Sequence, residues 1–183
     1  MTTLDFLKEG IKNMKTVGTV MRTSPKISQM MVEEAKIKEA KNIVELGAGD
    51  GAITKHILKQ MKPDARLIVF EVNPSFCKSL QKIKDSRLII IQDSAENLES
   101  HLFKYDIDHV DSIISAIPFV VLSNPLTSQI LNICKKILIS GGLFVQIHYS
   151  LIIKNLYEQI FGNLRIEFKA FNIPPTFIFV CKK

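Results

Sequence analysis

The sequence predicts an α/β fold, a seven-stranded doubly wound sheet with helices on both faces. Three observations lead to it. From Asn42 onward, short β-rich runs alternate with helical patterns, an order that builds right-handed crossovers and a mostly parallel sheet. The β-rich runs are near-continuously apolar, as strands buried on both faces are. The last two runs are separated only by Asn172-Ile173-Pro174-Pro175. That link holds no crossover helix, so the closing pair must be antiparallel.

Each element has its own signal. Ser24-Pro25, a cap followed by proline at the first helical position, opens a helix to about Lys41, with another amphipathic stretch ahead of it. Residues 43–46 form the first strand, ending in Gly47-Ala48-Gly49-Asp50-Gly51. The next helix carries Ile53, Ile57, Leu58 and Met61 on one face and closes at Pro63-Asp64. RLIVFE (66–71) is the second strand, and Asn73-Pro74 starts a helix with Phe76, Leu80 and Ile83 at helical spacing. RLIIIQ (87–92) is the third strand and 111–116 the fourth. A helix over about 128–139 stops at Gly141-Gly142, and 143–149 is the fifth strand. A last helix covers roughly 152–161, and strands 165–171 and 176–181 finish the chain. The organisation expected is N-terminal helices over 1–41 and a sheet domain over 42–183.

Composition excludes several classes. With 183 residues, 46% hydrophobic, 8 Gly and 7 Pro, the chain is neither disordered nor collagen-like. Cys77, Cys134 and Cys181 are too few and scattered for a disulfide framework or a zinc knuckle, which points to a reducing compartment. None of the four histidines has metal-ligand spacing, and His56 reads as structural, so no metal is expected. The longest apolar stretch, 113–122, is broken by Ser115 and Pro118 and is about half the ~20 residues a membrane span needs. Lys8, Glu9, Lys12 and Lys15 interrupt anything resembling a signal peptide. The net charge of +6 is uneven. Lys8, Lys12, Lys15, Arg22 and Lys26 outweigh Asp5 and Glu9 in the first 30 residues, and such an excess suits an anionic partner or simply a soluble surface.

Ligands of open α/β sheets sit beyond the carboxyl ends of the strands. The first strand ends in Glu45 and a G-x-G-x-G turn through Gly47, Ala48, Gly49 and Gly51, not the G-x-G-x-x-G that cradles a pyrophosphate. Glycines there let the backbone approach a ligand closely, and the acidic strand end suits a cationic one. The second strand ends in Glu71-Val72, where a carboxylate can take both hydroxyls of a ribose. The third leads into Asp93-Ser94-Ala95, where a carboxylate can accept from an adenine amino group. In order, and each at a strand end, these pieces resemble the Rossmann-like class I S-adenosylmethionine-dependent methyltransferases over residues 40–183. The resemblance implies S-adenosylmethionine as cofactor. It places Gly47, Gly49 and Gly51 on the methionine part, Glu71 on the ribose and Asp93 on the adenine. Glu45 would lie near the ammonium or support the loop.

The fourth strand leads into Ser115-Ala116-Ile117-Pro118-Phe119, where amino-methylating enzymes of this class carry their acceptor motif. The ribosomal RNA adenine dimethylases have Asn or Asp where this chain has Ser115, and a helical domain after the sheet. This chain ends with its last strand, so no such domain is expected. Nearly the whole chain resembles more closely the bacterial phospholipid N-methyltransferases. The matching features are Phe6-Leu7 leading to Val17-Gly18, then Ser24-Pro25, 44–51, Ser115-Ala116-Ile117-Pro118, Gln146-Ile147-His148-Tyr149 and Asn172-Ile173-Pro174-Pro175. Ala116, where glycine is expected, and His148 depart from that pattern. The resemblance implies methylation of a phospholipid amine such as that of phosphatidylethanolamine, by a cytoplasmic protein held peripherally at the inner face of the membrane. RNA adenine, or cofactor binding without catalysis, is the alternative, and nucleic acid is not the expected partner.

Leu4, Leu7, Ile11 and Met14 form one helical stripe flanked by Lys8, Lys12 and Lys15. Such a segment can dock on an anionic membrane through residues 1–20, or cover the cofactor site with the stripe turned to the core. For catalysis, the aromatic faces of Phe119 and Tyr149 can stabilise a methylated cation, with Ser115 at the acceptor. Tyr149, His148 or water could relay the proton.

Overall fold

The structure is a computed structural model and describes residues 23–183. The N-terminal stripe and its lysines lie outside the described residues. Six helices and seven strands follow in chain order. They are α1 (Pro25–Glu34), β1 (Asn42–Leu46), α2 (Ala52–Gln60), β2 (Arg66–Phe70), α3 (Pro74–Leu80), β3 (Leu88–Ile91), α4 (Leu98–Lys104), β4 (Val110–Ser115), α5 (Asn124–Ile137), β5 (Leu138–His148), α6 (Lys154–Phe161), β6 (Arg165–Lys169) and β7 (Thr176–Lys182).

The strands form one sheet in the order β3-β2-β1-β4-β5-β7-β6. β1 to β5 are parallel, and β7 runs antiparallel between β5 and β6. The order reverses between β1 and β4, so the crevice of the fold opens beside the end of β1. Alternation along the strands splits the core in two. Val44, Leu46, Ile113, Phe144 and Phe179 face α4, α5 and α6. Ile43, Ile114, Val145 and Ile178 face α1, α2 and α3. The predicted doubly wound α/β sheet is the one observed.

Three element boundaries and one whole helix differ most from expectation. The helix opened by Ser24-Pro25 stops at Glu34 instead of continuing to Lys41, where Lys36 takes positive φ and residues 35–39 turn back toward β1. α1 buries Ile27, Met31 and Val32 in the same core as Ile43 and Ile57. α4 was not expected, because Leu98 and Leu102 are too few to show a period; both pack into the α4–α6 side of the core. α5 begins at Asn124, ahead of residue 128, with proline in its first turn. β5 starts at Leu138 and runs through Gly141-Gly142, which read as a helix stop. A Cβ on Gly142 would lie 3.0 Å from the carbonyl oxygens of Asp111 and Ile139, so the glycines serve an irregularity in the β4–β5 pairing.

Candidate active site

The site is built where β1 ends. Gly47 has φ +74° and donates its N–H to the Phe70 carbonyl at 2.8 Å. A Cβ there would meet Ile117 Cγ1 and N at 3.2 Å, so only glycine lets the loop lie against the loop that follows β4. Ala48 is buried, and Gly51 starts α2. Glu71, at the end of β2, reaches across this turn. Its Oε2 accepts from Gly49 N–H and its Oε1 from Asn73 N–H, both at 2.8 Å. Val72 packs partly buried beside it.

Glu45 lies under the same loop, fully buried. Its Oε2 accepts from the Thr54 hydroxyl at 2.7 Å, while its Oε1 has no hydrogen-bond partner. Burial pushes its carboxyl up to about 8; the Thr54 hydroxyl opposes the rise and the charge of Glu71 adds to it. Glu71 is also raised by burial, against the pull of the backbone N–H groups of Asn73, Gly49 and Val72. A buried carboxylate with a vacant oxygen is costly unless a cation or donor meets it.

Beyond β3, Asp93 accepts from Ser94 N–H at 2.7 Å and from Asn97 Nδ2, and pairs with His101 Nε2 at 2.7 Å. Partial burial would raise its carboxyl, but His101, Ser94 and Asn97 together outweigh that and hold it below its ordinary value. Ser94 and Ala95 are buried and start a short 3-10 turn. Ser115 ends β4, paired with Leu46 on one side and Gln146 on the other. Its hydroxyl accepts from Ile117 N–H at 3.3 Å. Gln146 Nε2 donates to the Ile117 carbonyl at 2.9 Å and to Ile147 O at 2.7 Å, and its Oε1 is buried without a partner.

Glu45, Gly47, Ala48, Gly49, Gly51, Glu71, Val72, Asp93, Ser94, Ala95 and Ser115 therefore stand along one edge of the sheet. The two aromatics do not stand together. Phe119, expected to face the acceptor, is 1% exposed. The 3-10 turn after Pro118 tucks its ring beneath the helices, edge-on to Tyr157 at 6.5 Å between centroids. Tyr149 is 39% exposed at the end of β5, and burial raises its phenol, which keeps its proton at neutral pH. His148 is sealed inside, its Nε2 2.9 Å from Tyr157 Oη, and desolvation pushes it down to about 4. It is neutral and out of reach of an acceptor.

Thr54, Asn97, His101 and Gln146 are the polar residues that sequence reasoning left without a role. Thr54 sits on α2 just after the glycine turn, the one local signal that could have found it. A cavity of about 390 Å³ lined by Glu34, Lys36, Leu143, Arg165 and Lys182 opens at the opposite end of the strands, away from this chemistry. Among the described residues no group of His, Cys, Asp or Glu could hold a metal ion.

A glycine turn set against two acidic side chains offers a pyrophosphate no positive partner and suits a cofactor that brings hydrogen-bond donors with a ribose and an adenine, as in the class I S-adenosylmethionine-dependent methyltransferases. The residues fit that cofactor: a Cβ at Gly49 would meet nothing within 4 Å, and Glu45 Oε1 waits for a partner. The chain belongs to the ribosomal RNA adenine dimethylase family, whose model matches residues 11–167. It is 27% identical over 180 residues to the ornithine lipid N-methyltransferase of Singulisphaera acidiphila, covering 97% of this chain and 94% of that protein. The ribosomal RNA small subunit methyltransferase A of Thermotoga neapolitana is 30% identical over 133 residues, 72% of this chain but 48% of the relative's length. Among solved structures, an O-methyltransferase from Bacillus cereus in complex with SAH has the same fold, with a TM-score of 0.73, 14% identity and coverage of 98% and 91%.

Proposed function

We propose that the protein methylates the amine headgroup of a phospholipid such as phosphatidylethanolamine, as a cytoplasmic enzyme held peripherally at the inner membrane face. One observation carries the lipid part of this reading: the ornithine lipid N-methyltransferase of Singulisphaera acidiphila aligns along 97% of this chain and 94% of its own length, which supports a lipid amine as acceptor. The ribosomal RNA relative from Thermotoga neapolitana aligns over 48% of its length. Ser115 adds support. At the position where RNA adenine enzymes carry Asn or Asp, this side chain is fully buried and its hydroxyl is taken up by Ile117 N–H.

S-adenosylmethionine, when bound, supplies an electrophilic methyl group to a neutral amine aligned with it. Glu71 keeps lone pairs free beside its two backbone donors and can take the ribose hydroxyls. Asp93, oriented by His101 and Asn97, can accept from the adenine amino group. Glu45 keeps its proton at neutral pH, and its unpartnered Oε1 can meet a polar group of the cofactor above the turn. Ser115 takes the N–H of Ile117 and Gln146 its carbonyl, which holds the acceptor loop in place and supplies alignment, a large part of the rate. Tyr149 presents an aromatic face on the rim to the developing ammonium. It stays protonated, so the amine's proton leaves to water.

Labelled S-adenosylmethionine offered with phosphatidylethanolamine vesicles, with RNA, or with neither tests the reading. Label in the lipid is expected. Label in RNA overturns it in favour of the adenine reading, which the family match favours, and tight cofactor binding with no transfer overturns it in favour of a non-catalytic module.

A further inference from the structure

Of the ten large hydrophobic side chains exposed among the described residues, seven lie at the carboxyl edge of the parallel strands. Tyr149, Leu151 and Ile152 follow β5, with Ile152 81% exposed. Phe171 and Ile173 stand in the turn between β6 and β7, with Ile173 83% exposed. Val120, after β4, and Phe168, near the end of β6, complete the set. The other three, Phe103, Tyr105 and Ile139, lie toward the opposite edge, at the end of α4 and the start of β5.

The topology collects this patch from distant segments. His148 pairs with Phe177 and Lys169 with Thr176, so the loop after β5 and the turn before β7 stand side by side. Asn172 Nδ2 donates to Thr176 Oγ1 at 2.7 Å, and Ser24 Oγ donates to Asn172 Oδ1 at 3.1 Å. Residues 149–153 and 170–175 contain no charged side chain. Lys26, whose Nζ lies 3.8 Å above the Phe171 ring, and the exposed Lys154 flank them, while Lys169 is paired with Glu167 at 3.0 Å. An uncharged apolar rim bordered by lysines is the pattern of a surface that enters the headgroup layer of an anionic bilayer. The rim shares its edge with the Ser115–Gln146 pair, so a bilayer seated there brings headgroups to the acceptor loop.

We propose that the loops 149–153 and 170–175 form a membrane-docking surface that seats the catalytic edge of the sheet on an anionic phospholipid bilayer. Its residues are other than those of the basic N-terminal stripe, and it rests on the phospholipid reading above.

The chain has no tryptophan, so Ile173→Trp in the full-length protein is a single-site reporter, with Phe103→Trp as its control on the opposite edge. Mixed phosphatidylethanolamine–phosphatidylglycerol vesicles should shift the Ile173→Trp emission to the blue, and brominated acyl chains should quench it, while Phe103→Trp stays unchanged. The double variant Ile152→Asp, Ile173→Asp should bind these vesicles about tenfold more weakly or worse. It should still bind S-adenosylhomocysteine and methylate detergent-dispersed phosphatidylethanolamine, which shows that it is folded. A silent Ile173→Trp reporter on protein that co-sediments with vesicles overturns the proposal. So does an equal response from Phe103→Trp. A blue shift without vesicles also overturns it, assigning the rim to a second copy if the shift depends on concentration and to residues 1–22 if it does not. Label transferred only to RNA, with a responding reporter, sinks the phospholipid reading and leaves the docking surface standing. Label in lipid with a silent reporter does the reverse.

Discussion

At the scale of single residues, the site depends on polar atoms whose bonding is incomplete. Glu45 Oε1 and Gln146 Oε1 are both buried without partners, on adjoining parts of the same edge. An unmet acceptor is expensive in a closed interior, and functional sites are where such costs are kept. Gln146 also carries the position of the acceptor loop through its bond to the Ile117 carbonyl. Gln146→Leu removes that bond together with the unmet oxygen, so thermal stability should change little. The loop loses its anchor, and kcat should fall by about tenfold to a hundredfold. Affinity for S-adenosylhomocysteine, measured by calorimetry, should stay close to the parent's. A matching loss of affinity would instead place Gln146 in cofactor binding.

At the scale of elements, short helices are held by their ends. Ser24 does two things at the start of α1: its Oγ accepts from Ile27 N–H at 3.4 Å, and it donates to Asn172 on the far turn. Ser24→Ala loses both the cap and the tie, which should cost about 1 kcal/mol. In a chain of this size that lowers Tm by about 2–4 °C, readable by thermal denaturation. An unchanged Tm would mean that burial of Ile27, Met31 and Val32 alone sets the helix in place. The capping chemistry of Ser24-Pro25 and Asn73-Pro74 is local, and both helices start where it predicts. The end of α1 and the existence of α4 are not local. They follow from what the sheet leaves room to bury, and neither leaves a period long enough to read.

For the whole molecule, two buried titratable groups on opposite faces of the sheet set how stability varies with pH. Glu45 holds its proton up to about 8, whereas an unfolded chain gives it up near 4.5. Between those values the native state binds the extra proton, so stability falls as pH rises. His148 stays neutral down to about 4, whereas in an unfolded chain it gains a proton near 6.5. Below 6.5 the unfolded state binds the extra proton, so stability falls as pH drops. The two effects oppose each other between about 4.5 and 6.5, and above 6.5 the Glu45 effect remains, with the raised Glu71 acting in the same sense. From pH 6.5 toward 8 stability should fall, by about 1 kcal/mol per pH unit at the start and less as 8 is approached, and Glu45→Gln should flatten that limb. Thermal unfolding across that range checks it, and a Tm that rises with pH in the parent protein contradicts it. The sequence by itself determined the alternation of strands and helices, the antiparallel closing pair and the acidic residues at successive strand ends, because periodicity, capping and turn chemistry are properties of neighbouring residues. Only the tertiary structure decided that β7 lies between β5 and β6, that Glu45 is sealed while Glu71 clasps the glycine turn, and that Phe119 turns inward. It alone gathered the apolar rim. These outcomes rest on contacts between residues far apart in the chain, such as Ser24 with Asn172, 148 positions away, and no local pattern encodes which distant surface a side chain will meet.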